Sequence, residues 1–116
     1  MPTHEMCPKF ELAFELLGKR WTGLIIQGLL GGPRRFRDIS ELIPNMSDRM
    51  LAERFKELEA AGMLVRHVYP ETPVRIEYEL TRKGRSLEAV MKEVQRWADE
   101  WVHADEVRAH ALSRTE

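Results

Sequence analysis

A mainly α domain with one small β-hairpin is the fold class this sequence predicts, and three observations carry it. Apolar residues recur at three- and four-residue intervals through most of the chain, the spacing of amphipathic helices. That period gives way to strict alternation once, between residues 64 and 80, where PETP separates two β-rich runs. Just before that change, two helical stretches are joined by a tight turn at Pro44-Asn45-Met46. Helix, tight turn, helix and two-stranded ribbon in this order predict a winged helix-turn-helix. At 116 residues the chain holds one core and reads as a single domain over residues 1–116.

The first element is PKFELAFELLG, with Phe10, Ala13, Phe14 and Leu17 at helical spacing, Pro8 in the first turn and Gly18 at the C-terminal end. KRWTGLIIQGLLGGP follows, apolar on most sides and therefore central, ended by Gly31, Gly32 and Pro33. RRFRDISELIP is a short helix with Phe36, Ile39, Leu42 and Ile43 on one face. Ser47 is a good N-cap for the next helix, which buries Leu51, Phe55 and Leu58 and stops before Gly62. The helix-turn-helix thus covers roughly residues 36–61 and the wing 64–80. Within the wing, Val74, Ile76, Tyr78 and Leu80 take one face and Arg75, Glu77 and Glu79 the other. Thr81 caps a long final helix expected over 82–109, after which a polar tail frays.

Composition excludes several functions. The longest apolar run, LIIQGLL, is far short of the roughly 20 residues that span a bilayer. The N-terminus MPTHEMCPKFE is not a secretory signal, and one cysteine excludes an internal disulfide, so a cytoplasmic protein without membrane partners is expected. GLLGGP has neither the P-loop nor the dinucleotide spacing. His103, His110, Asp99, Asp105 and Glu106 lie on the polar tail and make a poor metal site. No catalytic arrangement stands out, so no enzyme and no cofactor are expected. The net charge is −1, but residues 18–56 carry eight Lys or Arg against four acids, a local excess of +4. That basic middle suits a polyanion.

The motifs resemble those of the HxlR-type winged-helix regulators, a bacterial family related to the MarR type. The resemblance rests on Cys7–Pro8, GKRW at 18–21, RRF at 34–36 with RDISELIPNMS, MLAERFKELEAAGML from Met50, RIEYELTRKG at 75–84 and Trp97. It implies a homodimer on a roughly palindromic double-stranded operator. The helix after the turn would enter the major groove, the wing would lie along the flanking backbone, and the N- and C-terminal helices would pair the subunits.

On the recognition helix, Ser47, Asp48, Arg49, Ala52, Glu53 and Lys56 form the N-terminus and exposed face from which bases are read. Arg49 suits guanine, Glu53 a cytosine amino group and Lys56 phosphate; the alternative is an Arg49–Glu53 ion pair on a solvated helix. Arg34, Arg35 and Arg37 start the short helix and favour phosphate, with one of them pairing Asp38 or Glu41. Arg54 is split between phosphate and a structural salt bridge. Arg75, helped by His67, is the expected wing contact. Phe10, Phe14 and Leu17, with Val90, Met91, Val94, Trp97, Trp101 and Val102, exceed what a small core needs and point to a dimer interface.

Cys7 precedes Pro8 and therefore sits at a helix N-cap. There the helix dipole and Lys9 favour a thiolate, while Glu5 and Glu11 oppose it. Several members of the resembled family sense oxidants or electrophiles through a cysteine at this position. The expected function is therefore a repressor whose operator affinity changes when Cys7 is modified by a small thiol, quinone or oxidant. Alternatives are a regulator without thiol sensing, with Cys7 inert at the interface, and a protein–protein adaptor that does not bind DNA.

Overall fold

The computed structural model describes residues 6–114. Its first helix, α1 (Pro8–Leu17), starts where proline costs no backbone hydrogen bond, and Glu11 N–H closes the first turn on the Cys7 carbonyl. It stops at Gly18, where any Cβ would come within 2.6 Å of the Phe14 carbonyl oxygen. None of its side chains is buried. The second helix, α2 (Thr22–Leu29), is the opposite case and buries Thr22, Ile25, Ile26 and Leu29. It is the centre of the core, as its apolar composition requires.

Around it stand α3 (Phe36–Leu42) and α4 (Asp48–Ala60). Ile39 from α3 and Leu51, Phe55 and Leu58 from α4 are buried at the spacing of one helical face. The turn between them is more than a connection, because Ile43 and Met46 are buried within it. Ser47 accepts from Met50 N–H at 3.1 Å, and the Ser40 hydroxyl donates to Asp48 across the turn at 2.8 Å. These two bonds set the start of α4 relative to α3. Leu42 departs from the expected face: it is mostly exposed, with only its tip turned toward Gly28 of α2.

The strands β1 (Leu64–Tyr69) and β2 (Arg75–Leu80) pair antiparallel, from Leu64 opposite Leu80 to Tyr69 opposite Arg75. Arg34 forms an isolated β-bridge on the other side of β2, exchanging both backbone hydrogen bonds with Tyr78 at 2.9 and 2.7 Å. Tyr78 stacks on Phe55 with centroids 4.1 Å apart, and Phe36 meets Phe55 edge-on at 5.8 Å. This aromatic column fastens the hairpin to the helix-turn-helix. The architecture is a winged helix-turn-helix.

The expected single helix over 82–109 is a correction: the chain forms α5 (Arg82–Arg85), α6 (Glu88–Trp101) and α7 (Ala104–Arg114) instead. The first break has a local cause. Thr81 caps α5 and bonds the Gly62 carbonyl, Lys83 reaches the Ala61 carbonyl at 2.7 Å, and Arg85 reaches that of Leu80 at 2.7 Å. The Ser86 hydroxyl then takes the Lys83 carbonyl at 2.6 Å, competing with the next helical bond. At the second break Val102 is extended, and the Glu106 carboxylate accepts from His103 N–H, restarting the helix as half a capping box. The tail expected to fray is thus helical to Arg114. The chain divides into two compact units, ending at Ser86 and beginning at Leu87.

Candidate nucleic-acid interface and thiol

Helix α4 shows one face to the core and the other to solvent. Ser47, Asp48, Arg49, Glu53 and Lys56 are exposed and Ala52 is half-buried. Asp48 is occupied by the Ser40 hydroxyl. Among the described residues no ion pair or side-chain hydrogen bond engages Arg49, Glu53 or Lys56, so the alternative Arg49–Glu53 pair does not form. Their charges stay available to an incoming ligand.

The three arginines ahead of and within α3 separate. Arg37 pairs with Glu41 at 3.0 Å, so one arginine of the group does find a local carboxylate. Arg35 starts the helix, its N–H bonded to Asp38, and its side chain is exposed. Arg34 holds Tyr78 through its backbone, and among the described residues its guanidinium has no ion pair.

Arg54 takes the second of its two expected roles, the structural salt bridge. Its Nε donates to the Arg20 carbonyl at 2.9 Å, its Nη1 donates to both oxygens of Glu57, and its side chain is only 14% exposed. Lys19 reaches the same carboxylate at 3.1 Å. Burial raises the Glu57 carboxyl, but the Lys19 hydrogen bond and the Arg54 and Lys19 charges outweigh it and hold it below its ordinary value. The cluster ties the α1–α2 junction to the middle of α4.

Arg75, the expected wing contact, is also engaged within the protein. Its guanidinium binds Glu71 and Glu77 at 3.0 and 2.8 Å and lies 3.9 Å above the Tyr69 ring. The Arg75 hydrogen bond, with the charges of Arg75 and Arg35, lowers the Glu71 carboxyl against the opposing effect of desolvation, and both carboxylates push the Arg75 guanidinium further up. His67 bonds Glu79 at 2.9 Å and is not a free cation either. The expected set omits Arg66, which is exposed and without an ion pair among the described residues. Alternation within MLVRHVY was the available signal, since Arg66 shares a face with buried Leu64.

Cys7 occupies the N-cap of α1, with extended backbone and an exposed thiol that makes no capping hydrogen bond. Lys9 and Glu11 follow two and four residues after Cys7, and Glu5 lies outside the described residues. One and two turns beyond Cys7, Phe10 and Phe14 rest against each other at 4.9 Å and are 54% and 56% exposed. Helix α6 by itself shows the same feature: it buries nothing, and Val94, Trp97 and Trp101 are largely open.

Residues 16–106 match the model of the HxlR-like helix-turn-helix family. The transcriptional regulator YodB of Bacillus subtilis is 58% identical over 96 residues, 83% of this chain and 86% of that protein. The quinone-bound structure of YodB superimposes with a TM-score of 0.73 at 53% identity, covering 83% of this chain and all of the other. The redox regulator HypR in its oxidised form gives a TM-score of 0.78 at 32% identity, over 84% of this chain and all of HypR.

Proposed function

The chain belongs to the HxlR-like helix-turn-helix family of transcriptional regulators, and from that premise we propose a homodimeric, cytoplasmic repressor whose grip on its operator changes when Cys7 is modified. The observation that carries the DNA-binding part is the exposed face of α4, whose Arg49, Glu53 and Lys56 are not spent on one another. Ser47, Asp48, Arg49, Ala52 and Glu53 meet base edges or the backbone at the start of the helix, and Lys56 meets phosphate. Arg34 and Arg35 neutralise phosphates beside the turn, with Arg37, expected in the same role, held in part by Glu41.

The subunits pair through the apolar faces of α1 and α6, with Phe10, Phe14, Val94, Trp97 and Trp101 as anchors. Such a dimer places two reading heads on a pseudo-palindromic site. Cys7 lies about one turn from Phe10 and two from Phe14, so an adduct there changes the shape of the surface that pairs the subunits. Exposure of the thiol and the similarity to a regulator solved with quinone bound favour an electrophile or oxidant as the effector. With a single cysteine in the chain, the product is an adduct, a mixed disulfide or a bridge between subunits.

Binding of duplexes selected from a random pool by the parent protein tests both parts. Benzoquinone or diamide should weaken the parent and leave Cys7→Ser unaffected; an equal response in both proteins would sink the thiol switch. Arg49→Ala should lose affinity and relax sequence preference at one position, by about 1–3 kcal/mol. Unchanged affinity and preference would remove Arg49 from base reading.

A further inference from the structure

The two faces of the wing carry opposite charge. Directly opposed residues in antiparallel strands project to the same side, so Leu64, Arg66 and Val68 share a face with Leu80, Tyr78 and Ile76. Arg34 joins that face through its pairing with Tyr78. A row Arg34–Tyr78–Arg66 therefore crosses the bridge and the two strands, with the two arginines rooted about 10 Å apart at ordinary strand spacing. This face holds no carboxylate. It is also the face toward the helix-turn-helix, since Tyr78 stacks on Phe55 of α4 and Leu64 and Leu80 are buried. The opposite face carries Glu77 and Glu79, its own strand cations Arg75 and His67 are bound to carboxylates, and Arg35 is near enough for its charge to lower the Glu71 carboxyl.

We propose that the wing meets DNA through this inner face, with Arg66 as a phosphate-binding residue working beside Arg34, and that Arg75 braces the hairpin and does not touch DNA. The proposal rests on the reading of the chain as a DNA-binding regulator. A phosphate attracts a guanidinium in proportion to the charge it still has to offer. Arg75 already lies between two carboxylates and over a ring, so moving to phosphate would break three contacts. Arg66 gives up only water. The outer face, with its three carboxylates counting Glu71, is repelled by a phosphate backbone and turns away from it. That orientation keeps the basic row on the same side as α4.

The test is the salt dependence of binding by the full-length protein, on a duplex selected by the parent from a random pool and on an unrelated mixed-sequence duplex. Arg66→Ala should weaken both duplexes by the same factor and lower the slope of log affinity against log salt by about 1 per protomer. Arg66→Lys should restore the slope, which a merely structural role of Arg66 would not require. Arg75→Ala should keep the parental slope while lowering the thermal midpoint. A parental slope in Arg66→Ala would overturn the proposal, and so would a slope lost in Arg75→Ala. If the parent itself bound neither duplex at low salt, the regulator reading would fall and take the wing assignment with it.

Discussion

Glu57 receives hydrogen bonds from Lys19 and Arg54, which come from different parts of the chain, and Arg54 also holds the Arg20 carbonyl. One carboxylate thereby fixes the helix that follows the turn against the junction between α1 and α2. Its lowered folded-state value sets the sign of the pH effect. The stabilisation is fully present above the ordinary value of 4.5 and is lost as pH falls through the lower folded value. Glu57→Gln should therefore unfold with a shallower loss of stability below pH 4.5 than the parent; identical acid profiles would show that the cluster contributes nothing. Arg54 illustrates the limit of reading a helix by its faces. It stands one place from the buried Phe55, at the boundary where 3.6 residues per turn leaves a side chain able to go either way. The position of Arg20, 34 residues earlier, decides the matter, and helical spacing holds no record of it. Arg49, Glu53 and Lys56 were legible because they sit opposite the stripe Leu51, Phe55 and Leu58 and have no competing partner.

At the scale of elements, α5 is a short clasp that closes the wing onto the end of α4. Its Gly84 is buried, and a Cβ there would lie 2.4 Å from the Met63 carbonyl oxygen and 2.9 Å from Leu80 Cδ2. A backbone atom cannot rotate aside, so Gly84→Ala should destabilise the protein by about 1–3 kcal/mol. A chemical denaturation curve coincident with the parent's would show that α5 is free to shift. Gly62 differs: its φ of +75 requires the left-handed region while the space around it is open. The helices α1 to α4 and both strands were legible in order because each has its own period and its own stop signal. The division of the last helix was not, since apolar spacing runs on through 87–102 with only Ser86 and the polar sequence after Val102 to interrupt it. Hydroxyl competition at a single carbonyl leaves no trace in hydrophobic periodicity.

At the scale of the whole molecule, the core is built around α2, while α1 and α6 each leave an apolar face uncovered. Trp97 and Trp101 are 61% and 58% exposed. Burying a large apolar side chain stabilises by roughly 1.5–3 kcal/mol, so faces of this kind favour a second copy of the chain. Under the proposed dimer, Trp97→Glu should yield a monomer by sedimentation equilibrium and lose cooperative binding to a two-half-site duplex. A dimer that persisted unchanged would remove α6 from the interface.

The sequence by itself determined the order of elements, the switch from helix to hairpin, the core stripe of α4, the uncovered faces of α1 and α6 and the placement of Cys7 ahead of Pro8. All of these follow from local rules, namely backbone propensity, side-chain period and the residues that start or stop an element. Only the tertiary structure decided which cations remain available. Arg54 and Arg75 are absorbed by Glu57, by Glu71 and Glu77, and by the Tyr69 ring, whereas Arg34, Arg49 and Arg66 are not. The physical reason is that charge pairing acts through distance in space. Folding brings together partners that the chain keeps apart, and the distribution of basic residues along the sequence does not show which of them end up neutralised.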